Sequence, residues 1–587
     1  MRTVLVLLLA TACGPDDTLT VLHTNDWQSH MLGQGPNAEY TPETTGDDDT
    51  IGGLARMQSK IEEIRDAARH PVVLYDGGDW MGGALFQALA TSHAAELTMM
   101  EAMGYDAVVI GNHELDWGPN VLGQMISTAD EVGVEVTILA TNLDPDPDDP
   151  GDADLRAHFD SGRVVPHAVM EHGRDLRIGL LGLIGHHAWL VTAYQGSVTF
   201  RDPIEAAQEA VDALKAEDVD LIFALTHAGV AEDMILADAV DGIDVIVGGH
   251  SHTALYEEIV VNGTTIVQAG AYTHYLGQID LERSRSNGWD VVDYRLHRLD
   301  DTIPGHPEAI SAVDGFTEAL AQGPLAEWGL TFDEPILSIP DDVGIGRDGC
   351  DESPLGHFIT DAYRDQVSAL VPEDPIDVAF EAHGVIRSPL VAGNTGIQAF
   401  SDIFRALPLG GHDGDAMGYP LTSFWVTGRD LATACEITAT VAPETCTMFL
   451  ELSGMRCTVD MDGFPTFRTT KVELWNGEEY EQISVGASNT TLYHATTDLY
   501  SLQMIPLLEE LTGGQLRFVP KDSEGQEVTD LSELLVTGDG DSAYRMWEAL
   551  LDYAATFPDT DGDGLPNLPE AYLEPAGRYI GWAYPEE

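Results

Sequence analysis

Lysine is almost missing from this sequence: Lys60, Lys215, Lys471 and Lys521 are the only ones in 587 residues. Arginine therefore supplies most of the positive charge, 27 Lys and Arg against 99 Asp and Glu, for a formal net charge of -72. A surface that acidic repels polyphosphate backbones and excludes nucleic-acid polymers as partners. A small phosphate-bearing molecule would need local cations, from metal or arginine, to approach it. Long apolar runs are missing after the N-terminus, so nothing beyond it reads as a bilayer-spanning helix. Internal repeats and low-complexity tracts are absent too. What is present is ample core material, 44% hydrophobic against 21% charged residues, in a length that fits two or three domains.

Residues 1–12 read as an export signal: Arg2, an apolar run from Val4 to Ala10, then Ala10-Thr11-Ala12. Cys13 follows where a bacterial lipobox places its lipidated cysteine. The expectation is an exported protein, either lipid-anchored through Cys13 in the periplasm or at the outer membrane, or freely secreted. That lipid is the only membrane contact expected. The other cysteines, Cys350, Cys435, Cys446 and Cys457, all lie in the second half. In an exported chain they predict two disulfides, with three pairings open.

From Leu19 to about Gly270, short apolar runs alternate with helical spacing. Leu54, Met57, Ile61, Ile64 and Ala68 recur at three and four residues, between runs at Leu19–Leu22 and Val72–Tyr75. Further runs come at Ala107–Ile110, Val136–Ala140, Ile178–Ile184, Leu221–Leu225, Val245–Val247 and Thr265–Val267. This is an α/β pattern with a largely buried sheet. Asp144–Asp154, with Pro145, Pro147 and Pro150 among acids, reads as an exposed loop. The boundaries are set at 19–300 for the first domain, 301–334 for a linker around Pro304, Gly305 and Pro307, 335–547 for a mixed α+β domain, and 548–587 for a tail.

Polar residues gather just past the apolar runs. The endings are His23-Thr24-Asn25-Asp26-Trp27-Gln28, Asp76-Gly77-Gly78-Asp79, Gly111-Asn112-His113-Glu114-Leu115-Asp116, Thr226-His227-Ala228-Gly229 and Gly248-Gly249-His250-Ser251-His252. Any one of them alone is more often a loop or a helix cap. Five in order place Asp, Asn and His at the carboxyl ends of strands, where open α/β sheets bind ligands, and form a mixed O/N set suited to two divalent ions.

This order resembles the calcineurin-like metallophosphoesterases and, more narrowly, the periplasmic and cell-surface 5'-nucleotidases. The lead-in Leu22-His23-Thr24-Asn25-Asp26, the helix start Gly52-Gly53-Leu54-Ala55-Arg56, and the second-half pieces Leu355-Gly356 with Asp361, Gly384-Val385-Ile386-Arg387 and Leu407-Pro408-Leu409-Gly410 fit that subfamily. The resemblance implies an αββα sandwich metallophosphoesterase domain followed by an α+β domain of the 5'-nucleotidase C-terminal type. It also implies a site. Asp79 would bridge two ions (Mn, Zn, Fe or Mg), with Asp26 and His252 on one and Asn112, His227 and His250 on the other. A hydroxide generated between two such ions would attack phosphorus in line. His113 and Asp116 match the catalytic pair, and Arg387 matches the substrate arginine. The implied reaction is hydrolysis of small phosphate esters, most of all 5'-nucleotides. Alternatives are a 2',3'-cyclic nucleotide phosphodiesterase, a nucleotide-sugar diphosphatase, or a non-catalytic surface protein on the same fold.

The sequence departs from the family in places. Where the family has Asp-x-His, here stands Asp26-Trp27-Gln28, which makes Gln28 a weaker ligand candidate and Trp27 either a pocket wall or core. Leu409 replaces one base-stacking aromatic, and the region Ser488–Tyr493 lacks the expected Gly-Gly-Asp-Gly. Ala382 stands where the family has asparagine. If a ring holds a base, Tyr493, Phe449 and Tyr500 are the candidates. Near the end, Asp559, Asp561, Asp563, Leu565 and Glu570, with Gly562 at the sixth position, follow the twelve-residue calcium-loop spacing and predict one Ca ion.

Overall fold

The computed structural model describes residues 17–172, 176–284, 288–346, 350–411, 417–538 and 542–583. The proposed export signal and Cys13 lie outside the described residues.

The buried runs of the first half become parallel strands: β1 (Thr18–Thr24), β2 (Val72–Asp76), β3 (Ala107–Val109), β4 (Thr137–Leu139) and β5 (Val164–Val165), each paired with the next. The chain then builds a second sheet from β6 (His167–His172), β7 (Leu176–Ile184), β8 (Leu221–His227), β9 (Val245–Val247), β10 (Ile259–Val261) and β11 (Thr264–Val267). In it β7, β8, β9 and β11 run parallel. Finally β12 (Tyr275–Arg283) and β13 (Trp289–Arg298) return to the first sheet antiparallel beside β1.

The sheets pack face to face through Val21, Val73, Val109 and Leu139 on one side and Ile178, Phe223 and Val245 on the other. Helices Leu54–Ala67, Ala95–Met103 and Pro119–Val132 cover the outer face of the first sheet. Pro203–Ala216 and Val230–Ala239 cover the second, giving the four-layer αββα sandwich. Residues 307–322 of the expected linker form a helix, Pro307–Gln322, whose Val313 and Leu320 are buried in the same cluster as Leu54 and Met57.

The second half is mixed α+β. One four-stranded sheet orders Leu421–Thr427, Leu492–Asp498, Val378–Ala382 and Leu450–Ser453; another orders Tyr480–Gln482, Thr469–Trp475, Met455–Val459 and Tyr579–Ile580. Tyr579–Ile580 pairs parallel with Met455–Val459, and Trp547 is 1% exposed against Phe400 and Trp328. Residues 548–583 are thus woven into this half rather than trailing from it. Of the three open pairings the structure forms Cys350–Cys446 and Cys435–Cys457, with Cα separations of 5.1 and 5.9 Å. No helix among the described residues is long and apolar enough to cross a membrane.

Candidate metal centre and substrate cleft

The strand-end residues converge. Asp26 and Gln28 follow β1, Asp79 follows β2, and Asn112, His113 and Asp116 follow β3; His227 ends β8, and His250 and His252 follow β9. Carboxyl edges of both sheets therefore contribute. Asp79 Oδ2 lies 2.9 Å from His227 Nε2, and His252 Nε2 lies 3.2 Å from Asp26 Oδ1. Ligand atoms of Asp79, His227 and His250 all fall within 4.8 Å of one another.

The backbone is bent to achieve this. Asp26, Gln28, Asp79, His250 and His252 all take left-handed φ, between 46° and 76°. For non-glycine residues this costs roughly 1–2 kcal/mol each, offset by bonds such as Asp26 N to Gly78 O at 2.9 Å and Gln28 N to Asp79 O at 2.9 Å. Strain concentrated this way marks a site under functional constraint. Gly111 is required by close approach: a Cβ there would press on Asp79 Oδ1 and sit 2.9 Å from His227 Cγ.

The donor set fits divalent ions. Asn112 Oδ1 is buried with no hydrogen-bond partner among the described residues, as expected of an atom meant for a cation. His227 Nδ1 is 2.9 Å from Gly77 O, which fixes the tautomer that leaves Nε2 for a metal. Burial resists charge on His227, but the Asp79 carboxylate outweighs it and raises the imidazole to about 10. Burial lowers His250 and His252, which favours their neutral, ligating forms.

His113 Nδ1 is 2.6 Å from Asp116 Oδ2, and its backbone N–H donates to Asp79 Oδ1 at 2.9 Å. Burial works against protonation of His113, yet the charges of Asp116 and Asp79 prevail and raise its pKa. A cavity of about 460 Å³ opens from this cluster toward the second half, where Arg387, Val385, Leu409, Met448, Tyr500 and Met504 form its far wall. Arg387 Nη2 donates to Gln28 Oε1 at 3.0 Å across the cleft.

Other expectations resolve differently. Trp27 is core: fully buried, edge-on to Tyr105, with its Nε1 donating to Thr24. Phe449 is buried against Tyr579 and Trp582, whereas Tyr500 lines the cavity and stacks on Tyr419 at 5.3 Å. Asp361 bonds Arg578 at 2.7 Å. Asp559, Asp561 and Asp563 come together on the surface; Glu570 opens the 3₁₀ turn Glu570–Tyr572 and is not part of that group.

Two residues escaped the sequence reading. His187 Nδ1 lies 2.7 Å from His250 Nε2, and it follows the end of β7 by the same rule that found the others. Glu114 accepts the backbone N–H groups of Gly111, Asp79 and Met81 at 2.6, 3.1 and 3.2 Å, tying two ligand loops together. Its position inside Gly111-Asn112-His113-Glu114 was the available signal.

These features define a metal-dependent phosphoric ester hydrolase in which a metallophosphoesterase sandwich faces a second α+β domain. Residues 19–254 match the family model "Calcineurin-like phosphoesterase" and residues 335–500 match "5'-nucleotidase, C-terminal domain". The chain thus joins a calcineurin-like phosphoesterase domain to a 5'-nucleotidase C-terminal domain. It is 26% identical to the 5'-nucleotidase of Bos taurus over 78% of each chain. It is 27% identical to the trifunctional nucleotide phosphoesterase protein YfkN of Bacillus subtilis, over 78% of this chain but 30% of that one. Among solved structures, a 5'-nucleotidase precursor from Thermus thermophilus superposes with a TM-score of 0.72 at 22% identity, covering 96% of this chain and 99% of that one.

Proposed function

We propose that this protein is an exported phosphomonoesterase acting on small esters, with 5'-nucleotides as the main substrate class. The observation that supports this most is the meeting, in one cavity, of the Asp/Asn/His cluster, the His113–Asp116 pair and Arg387. Asp26, Asp79 and His252 would hold one divalent ion, and Asp79, Asn112, His227 and His250 the other. Bound there, the ions supply Lewis acidity toward phosphoryl oxygens and acidify a water nucleophile. Asp116 holds the His113 ring by Nδ1, leaving Nε2 to pass a proton to the leaving alkoxide. Arg387 meets anionic oxygen with its planar fork.

The far wall supports a nucleotide with a loose hold on its base. Tyr500 offers one ring and Leu409 none, so a single stacking contact of about 1–3 kcal/mol is available. The test is a panel of AMP, GMP, CMP, UMP, ribose 5-phosphate, p-nitrophenyl phosphate and bis-p-nitrophenyl phosphate on metal-loaded protein and on Leu409→Phe. The expected pattern is monoester turnover, little discrimination among bases, and a larger AMP preference in Leu409→Phe. No monoesterase activity with Mn, Zn, Fe or Mg refutes the reading; an AMP preference over ribose 5-phosphate above about a hundredfold in the parent refutes the loose clamp.

Two finer proposals accompany it. Asp559, Asp561 and Asp563, with the Leu565 carbonyl, would hold calcium beside the segment that bonds to Ser338. A rise in unfolding temperature with millimolar calcium, absent in Asp561→Asn, is the check. Lipidation of Cys13 is tested by the mass of the mature N-terminus.

A further inference from the structure

A guanidinium can only donate, so the contact between Arg387 and Gln28 fixes the glutamine amide: the oxygen faces Arg387 at 3.0 Å, and the nitrogen lies 3.1 Å from His252 Nε2. Glutamine ligates metal through oxygen, and here the oxygen points away from the histidine of the proposed first metal site. The stem of the side chain is held in place. Gln28 is 0% exposed, its backbone is held at φ 46°, and a methyl on Gly83 would lie 2.7 Å from its Cβ. Among the described residues the Arg387 guanidinium makes one other hydrogen bond, a long one of 3.4 Å to Gly384 O, and its Nε is buried without a partner.

We propose that Gln28 is a positioning residue for Arg387 and not a metal ligand, so that this chain trades grip on the first ion for a fixed substrate arginine. The chemistry of the alternative explains the trade. An imidazole at position 28 would put one nitrogen on metal and keep hydrogen on the other, leaving Arg387 no acceptor on that ring. The amide supplies the acceptor and leaves the first site to Asp26, Asp79 and His252. The role given to Arg387 rests on the phosphoesterase reading above; the geometry of Gln28 does not.

Metal titration by calorimetry and equilibrium binding of inorganic phosphate to the metal-loaded protein separate the possibilities. In Gln28→Met, both ions should bind with affinities within about threefold of the parent, while phosphate binding weakens about tenfold, the scale of a lost hydrogen bond to a charged group. Arg387→Met should weaken phosphate similarly, and the double variant little further. Gln28→Glu, which keeps an acceptor, should retain phosphate affinity and guards against misfolding of the methionine variant. In turnover, the Gln28→Met effect should fall mainly on KM. Loss of one ion from Gln28→Met, or unchanged phosphate affinity, overturns the proposal. If the parent hydrolyses no phosphate ester, the functional reading fails, and the metal and phosphate titrations still decide the role of Gln28.

Discussion

Replacing Gly111 with alanine adds one methyl group to the metal centre and nothing else. Gly111 does not sit at positive φ, so the alanine backbone is allowed and the effect is steric alone. The new carbon would press on Asp79 Oδ1, lie 2.7 Å from Asp79 N and lie 2.9 Å from His227 Cγ. An ordinary contact is about 3.5 Å, so these groups must retreat by nearly 1 Å. Overpacking of this kind costs about 1–3 kcal/mol, which a chain of this size survives. A metal site tolerates displacements of only about 0.5 Å, and Asp79 is the residue shared by both proposed ions. The expected outcome is a folded protein whose metal affinity falls at least about a hundredfold. Thermal unfolding in chelator measures the first quantity and calorimetric metal titration the second. Gly315, in the helix Pro307–Gln322 with nothing within 4 Å of its virtual Cβ, is the control. Gly315→Ala should stabilise by about 0.5–1 kcal/mol and leave metal binding alone. Metal affinity in Gly111→Ala within about threefold of the parent would falsify the steric reasoning.

His113→Ala should keep both ions and lose about 10² to 10⁴ in turnover; an unchanged rate removes it from the proton path. Metal binding by the apoprotein should strengthen as pH rises, because His227 stays protonated up to about 10 and an incoming ion must displace that proton. Calorimetry in buffers of different ionisation heat reads the proton release, and affinity independent of pH between about 6 and 8 contradicts it. The Cys350–Cys446 bridge closes 96 residues and Cys435–Cys457 closes 22. Paired Cys→Ser variants in urea should therefore lose about 4.7 and about 3 kcal/mol respectively, and the reverse order rejects the loop-entropy account.

Much of the site was legible because parallel strands buried on both faces leave unmistakable apolar runs, and because chemistry in such sheets gathers at one edge. Asp26, Asp79, Asn112, His227 and His250 could each be named by reading one to five residues past a run. Tyr500 obeys the same rule, two residues after the strand Leu492–Asp498, and was one of three candidate rings; which of the three faces the cavity depends on tertiary packing that the sequence does not carry. The disulfide pairing could not be read, since it depends on which strands become neighbours. Nor could the strand Tyr579–Ile580, because two residues carry no periodicity and their pairing with Cys457 and Thr458 is purely tertiary. The direction of the Gln28 amide was equally out of reach: it is set by Arg387, 359 residues away.

The candidate metal cluster draws Asp26, Asp79 and Asn112 from one sheet and His227, His250 and His252 from the other. Each proposed ion would therefore take ligands from both, as a rivet joins two plates. The core between the sheets, Val109 and Leu139 against Ile178 and Phe223, sets the gap that the rivet must span. A thickness change there reaches the metals without touching a ligand. Gly182 is one such spacer: a Cβ on it would meet Val109 Cγ2 at 2.9 Å. The 2.9 Å contact between Asp79 and His227 bridges the same gap.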